Sequence, residues 1–142
     1  MPSHAERKTL PFSREQLFDL VADVDKYPEF LPWCVGMRVR SKTETMLVAD
    51  MMIGFKAFRE VFTSRVALQR PDRVDVSYEH GPFKYLTNRW IFEVAGNETT
   101  IDFHVDFEFR SKILEKAIGA VFTKAVERMV AAFENRAHEL YG

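Results

Sequence analysis

The chain has few of the features that disulfide-bonded, metal-bearing or membrane-spanning proteins depend on. Its 142 residues include a single cysteine, Cys34, so no intrachain disulfide can form and a reducing compartment is expected. No apolar run approaches the roughly 20 residues needed to cross a bilayer. Residues 1–7 are polar and too short for a secretory signal. Neither sign of charge is in excess, with 20 Lys and Arg against 21 Asp and Glu. That balance lacks the basic surplus that drives phosphate-backbone binding and argues against a DNA partner. The four histidines, His4, His80, His104 and His138, are scattered, and none stands at ligand spacing from a second donor, so no metal is expected. Repeats, low-complexity stretches and linkers are missing too. The expectation is one cytoplasmic domain over 1–142, large enough for a substantial core.

Aromatic residues are present in abundance: 13 Phe, 4 Tyr and 2 Trp. The clearest pattern lies near the end. Ile101, Phe103, Val105, Phe107 and Phe109 alternate with Asp102, His104, Asp106, Glu108 and Arg110, the period of a strand with one buried face. The period then changes to 3.6. Leu114, Ile118, Val121, Phe122, Ala125, Met129, Phe133 and Leu140 predict one amphipathic helix over 112–141. At ~1.5 Å per residue it is about 45 Å long, whereas a domain of this size is under about 40 Å across. A single helix therefore crosses the whole domain, and the sheet has to curl around it.

Upstream, residues 3–10 predict a first strand. Ser13 and Gln16 have capping-box spacing, with Phe12 and Leu17 as a hydrophobic staple at the start of a helix. Pro28 and Pro32 leave a compact turn or short helix at 25–33. Strands follow at 35–44, with Val35, Met37 and Val39 on one face, at 46–55 and at 57–69. A turn at Pro71-Asp72 leads to a strand marked by Val74, Val76 and Tyr78, then a loop at His80-Gly81-Pro82. Trp90, Phe92 and Val94 mark the next strand. Short connections imply antiparallel neighbours. The fold class is α+β: a curved antiparallel sheet of six to seven strands wrapped around a long C-terminal helix, with two short helices after strand one.

The motifs narrow this further. Asp23-Val24-Asp25-Lys26-Tyr27-Pro28-Glu29-Phe30-Leu31-Pro32-Trp33-Cys34 resembles the signature of the coenzyme Q-binding START-like family. Phe62-Thr63-Ser64-Arg65-Val66, Gly81-Pro82-Phe83-Lys84-Tyr85-Leu86 and Trp90-Ile91-Phe92 are similar to it as well, in order along nearly the whole chain. The resemblance implies the helix-grip fold. It also implies a hydrophobic tunnel between sheet and helix that holds ubiquinone or a related isoprenoid, without a cofactor or catalytic residues. A carrier of this kind implies respiratory or ubiquinone-biosynthesis proteins as partners, with peripheral contact at the inner membrane. The wider group includes bacterial ribosome-association toxins and polyketide cyclases. A ribosome-associated regulator that blocks subunit joining and a cyclase or dehydrase are therefore the alternatives.

On this reading the ligand contacts are Phe30, Leu31 and Trp33 at an entrance wall, Met51, Ile53, Phe62, Tyr78, Phe83, Leu86, Trp90, Phe103 and Phe107 on the sheet, and Ile118, Phe122 and Met129 on the helix. The same residues equally suit a solid core, because aromatic side chains serve both. Met52 breaks the alternation of its strand. With Phe55 and Phe58 it forms a candidate membrane-touching tip, or a surface covered by another element. Gly119 is a place for a mild bend or close approach in the helix. Glu60 and Ser64 fall on the apolar-facing register. Glu60, Tyr78 and His80 are the candidate acid–base groups a cyclase would need. Cys34 lacks a histidine partner for a catalytic thiol.

Overall fold

The computed structural model describes residues 3–55 and 58–142, with the side chains of Phe55 and Phe58 outside that description. β1 (Ser3–Leu10) gives way to α1 (Arg14–Ala22) at Ser13. The Gln16 N–H donates to the Ser13 hydroxyl and the Ser13 N–H donates to the Gln16 side chain, each at 3.1 Å. This is the expected reciprocal cap, which satisfies backbone donors that the first helical turn leaves free. Leu17, Phe18, Leu20 and Val21 turn inward. A 3₁₀ helix, Val24–Glu29, occupies the proline-bounded segment.

Six strands follow: β2 (Cys34–Lys42), β3 (Met46–Phe55), β4 (Phe58–Gln69), β5 (Arg73–His80), β6 (Phe83–Ala95) and β7 (Glu98–Phe109). They form one seven-stranded antiparallel sheet in the order β1-β7-β6-β5-β4-β3-β2. Strands β1 and β2 are thus opposite edges of the sheet. The chain passes between them through α1 and the 3₁₀ helix, which close one side of the concave face. The alternation in β7 is realised residue for residue, with Ile101, Phe103, Val105, Phe107 and Phe109 all buried.

Three sequence expectations need correction. The residues 112–141 form two helices, α2 (Lys112–Glu127) and α3 (Met129–Tyr141), separated by Arg128 at φ −103° and ψ 4°. The Arg128 N–H is shared between the carbonyls of Lys124 and Ala125 at 3.1 and 3.3 Å, so the ladder tightens by one residue there. Neither proline nor Gly119 marks the site. A Cβ on Gly119 would meet only ordinary contacts at 3.5 and 3.7 Å. The break falls where the packing partner changes: α2 lies against β7, and α3 lies against α1 and β1. The buried face nevertheless runs through both helices as Ile118, Phe122, Val126, Val130, Phe133 and Ala137. Leu140, expected on that face, is 52% exposed, because it lies near the end of α3 beyond the reach of the sheet.

Second, Val35 does not share the inner face with Met37 and Val39. Cys34 pairs with Ile53 and Gly36 with Met52, leaving Val35 as the extra residue of a β-bulge, 43% exposed. Third, Val94 is not a buried strand position. It is 65% exposed near the β6–β7 turn, because the helices do not cover that corner of the sheet.

Candidate ligand cavity

The space between the sheet and the two C-terminal helices divides into a filled part and an empty part. The filled part surrounds Phe83. Its ring lies 5.0–6.0 Å from those of Phe62, Tyr78, Phe107, Phe109 and Phe122, mostly edge to face. Phe107 and Phe122 meet at 4.9 Å. Ring pairs in such geometry contribute about 0.5–1.5 kcal/mol each beyond their burial. The Tyr78 hydroxyl accepts from the Phe83 N–H at 3.1 Å, fixing the start of β6.

Beside this cluster lies a cavity of about 90 Å³. Its sheet wall is supplied by Met37, Ala49, Met51, Phe62, Ser64, Val66, Val74, Val76, Leu86, Asn88, Trp90, Phe103 and Val105. Phe122, Val126, Met129 and Phe133 roof it from α2 and α3, and Val21, Val24, Tyr27 and Trp33 close the side. The Arg128 break therefore sits between two of the roofing residues.

Of the residues expected to line a ligand site, Trp33, Met51, Phe62, Leu86, Trp90, Phe103, Phe122 and Met129 surround this one cavity. The remaining candidates lie elsewhere. Phe83, Phe107 and Tyr78 belong to the filled aromatic cluster, and Ile118 and Ile53 are buried core. Phe30 is wedged between Tyr27 and Phe133 at 5.9 and 5.0 Å, with the Arg136 guanidinium over its face at 5.3 Å. Leu31 is 1% exposed and faces a separate outer groove.

Sequence reasoning missed Tyr27, Met37, Val126 and Asn88 as cavity walls. Asn88 stands between Leu86 and Trp90 on one strand face, so period two was the signal that would have placed it. Its amide is already engaged: Nδ2 donates to the His104 carbonyl at 2.9 Å, and Oδ1 accepts from the Trp90 indole at 3.0 Å. The Tyr27 hydroxyl donates to the Val21 carbonyl, and burial pushes its pKa up. Ser64 differs. It is 7% exposed and lines the cavity, yet its hydroxyl makes no side-chain hydrogen bond among the described residues. Its oxygen still meets accessible space, since among the described residues the fully enclosed side-chain nitrogen or oxygen without a partner is Arg136 Nε.

The proposed acid–base candidates stand outside this wall. Glu60 is half-buried opposite Ile53 near the start of β4, and His80 is exposed. Burial pushes the Cys34 thiol up to about 11, and the thiol donates to the Gly36 carbonyl at 3.7 Å. It is held neutral, away from the thiolate form that nucleophilic chemistry uses.

The outer groove, about 700 Å³, has a floor of Leu31, Trp33, Val121, Ala125 and Ala132 and a rim that includes Lys124, Arg128 and Asn135. Among the described residues, Trp33 alone lines both spaces. On the convex face of the sheet, Met52 is 38% exposed beside Val61 and Val35, at 44% and 43%, on adjacent strands. Met52 was an expected member of an exposed patch, whereas Val35 and Val61 were not. The Phe55 and Phe58 side chains, its other expected members, lie outside the described residues.

Residues 10–134, which hold the whole cavity wall, match the family described as polyketide cyclase / dehydrase and lipid transport. The chain belongs to that family. Within it, the ribosome association toxin RatA of Rickettsia prowazekii (strain Madrid E) is 38% identical over 144 residues, covering 99% of each chain. The mitochondrial coenzyme Q-binding protein COQ10 homolog B of Xenopus laevis is 34% identical over 98% of this chain, which spans 59% of that protein. The solution structure of the 18 kDa protein CC1736 from Caulobacter crescentus is 39% identical, with a TM-score of 0.76 over 100% of this chain and 99% of that one. A START superfamily protein from Mycobacterium smegmatis superposes with a TM-score of 0.75 over 97% and 98% at 16% identity, a likeness in fold alone. The helix-grip architecture expected of a START-like chain is therefore the one observed.

Proposed function

We propose that this family member binds ubiquinone or a related isoprenoid quinone between its sheet and C-terminal helices, without transforming it, and presents it to respiratory or ubiquinone-biosynthesis enzymes at the inner membrane. The observation that carries this reading is the cavity itself, whose wall is apolar apart from Ser64, Asn88 and the polar tips of Tyr27, Trp33 and Trp90. Such a lining favours an apolar guest, with about 0.8 kcal/mol recovered per CH₂ removed from water before ordering costs are subtracted.

At about 90 Å³ the space is below the ~300–1,000 Å³ of most ligand sites, so loading requires expansion. Met37, Met51 and Met129 line it, and flexible thioether side chains accommodate such changes at low cost. The described helices are too short or too polar to cross a membrane. Contact with a bilayer would fall to the Val35, Met52 and Val61 patch, an exposed apolar surface of the kind that marks interaction sites. The decisive experiment is organic extraction of the purified protein followed by mass spectrometry, with titration of added quinone. Recovery of a bound isoprenoid and saturable binding are expected; neither being found would end this reading.

A second reading rests on the relatives named ribosome association toxin. Against it, several arginines on the protein surface are paired with carboxylates, as in Arg40–Asp50, Arg65–Glu79 and Arg70–Asp19, whereas RNA binding usually uses an uncompensated basic patch. Co-sedimentation with ribosomal subunits in the absence of quinone would favour this alternative.

A further inference from the structure

Ser64 is hard to account for as packing. It sits on the inner face of β4 between Phe62 and Val66, paired with Ala49 on β3 and Tyr78 on β5. Its neighbours along the cavity wall are apolar. The hydroxyl is not fully enclosed and makes no side-chain hydrogen bond among the described residues, so it is open to the cavity. The side-chain amide in the wall, Asn88, is committed to Trp90 and His104. Among the described residues of the sheet wall, Ser64 is therefore the one whose hydrogen-bonding capacity is free for a guest, with one O–H to donate; the Trp33 indole N–H, which also makes no side-chain bond among the described residues, lies at the side shared with the outer groove.

Volume sets the orientation. A cavity of about 150 Å³ takes a single benzene ring. The space here, about 90 Å³, can swell to admit one ring but has no room for a polyprenyl chain as well. The outer groove, about 700 Å³ with an apolar floor, begins at the opposite side of Trp33.

Resting on the quinone reading above, we propose that the ligand enters ring first. The Ser64 hydroxyl donates to a ring carbonyl oxygen, and the isoprenoid tail leaves past Trp33 into the groove between the Leu31–Trp33 segment and the α2–α3 junction. The polar end of the ligand is then the buried end. Ser64 acts as the group that distinguishes a carbonyl-bearing ring from a plain hydrocarbon.

The test compares the wild type with Ser64→Ala and Ser64→Thr by calorimetric titration of two probes, a short-chain ubiquinone and the oxygen-free isoprenoid squalene. One neutral hydrogen bond corresponds to about a tenfold change in affinity. Ser64→Ala is expected to weaken the quinone about tenfold, leave squalene unchanged and keep or raise the melting temperature. Ser64→Thr, which retains the hydroxyl, is expected to recover most of the loss. Equal effects on the two probes, or none on the quinone, would overturn the Ser64 assignment while leaving the cavity as an apolar site. If the wild type binds neither probe, the quinone reading and the Ser64 assignment both fall.

Discussion

Replacing Phe122 with alanine asks whether α2 is locked to the sheet by the aromatic cluster and bounds the cavity. The ring is 5% exposed. Its centroid lies 4.9 Å from that of Phe107 and 5.1 Å from Phe83, with Phe109 and Trp33 at 5.9 and 6.3 Å. Truncating a buried phenylalanine costs about 3–5 kcal/mol, the sum of lost transfer energy and the void left behind. The void here opens into space that the neighbours already leave unfilled, so relaxation recovers little and a loss of about 4 kcal/mol is expected. With a urea m-value of about 2 kcal/mol/M, the unfolding midpoint falls by about 2 M at unchanged slope. The merged space then exceeds the ~150 Å³ that accommodates benzene. Equilibrium urea melts with and without saturating benzene check both parts, since a guest that binds only the folded state raises its stability by mass action. A loss under about 1 kcal/mol, or a midpoint indifferent to benzene, would refute the packing and the shared wall respectively.

Removing the Asn88 amide with Asn88→Ala leaves the Trp90 indole N–H buried without its acceptor and should cost about 2 kcal/mol. A thermal melt followed by tryptophan fluorescence measures it, and a change below about 0.5 kcal/mol, the spread of inert substitutions, would mean the bond is dispensable. The Cys34 thiol should resist Ellman's reagent at pH 8 in the folded protein and react on unfolding. Because its folded pKa of about 11 exceeds the free value of roughly 8.5, the folded state holds the extra proton. Stability present below that lower value is therefore lost as pH rises toward the upper one; a flat stability profile over that window would contradict the burial. Changing Met52 and Val61 together to serine should lower liposome co-sedimentation while the melting temperature holds. Undiminished sedimentation would remove that patch from the membrane reading.

Much of this architecture is legible in local pattern. The period-two run at Ile101–Phe109, the Ser13–Gln16 cap and the apolar face through Ile118, Phe122 and Phe133 depend on neighbours in sequence, and each appears as read. The Arg128 break and the Val35 bulge do not announce themselves. The first follows from a change of packing partner along the helix, the second from how β2 aligns on β3, and neither carries a proline or glycine at the point itself. The division between cavity and filled cluster was hidden for a different reason. Phe103 and Phe107 share one strand face and one composition, and only the placement of Phe83 against the second of them decides which side chain meets empty space. Ser64 was visible as a polar residue on an apolar face, but its lack of a partner is a property of the assembled wall.

The position of β1 has a consequence for how the chain is made. Leu10 pairs with Thr99 and Ser3 with Asp106, so β1 meets its strand neighbour among the described residues, β7, about a hundred residues later. At ~5–20 residues per second of synthesis, that is a wait of roughly 5–20 s with one edge of the sheet absent. Strands β2 to β6 can assemble as successive hairpins during this time, each beside the strand made just before it. Completion of the sheet is a late, long-range step that depends on the last third of the chain, and such closures are intrinsically slow. Until it occurs, the sheet edge destined for β1 and the face destined for α2 and α3 are both open to other chains.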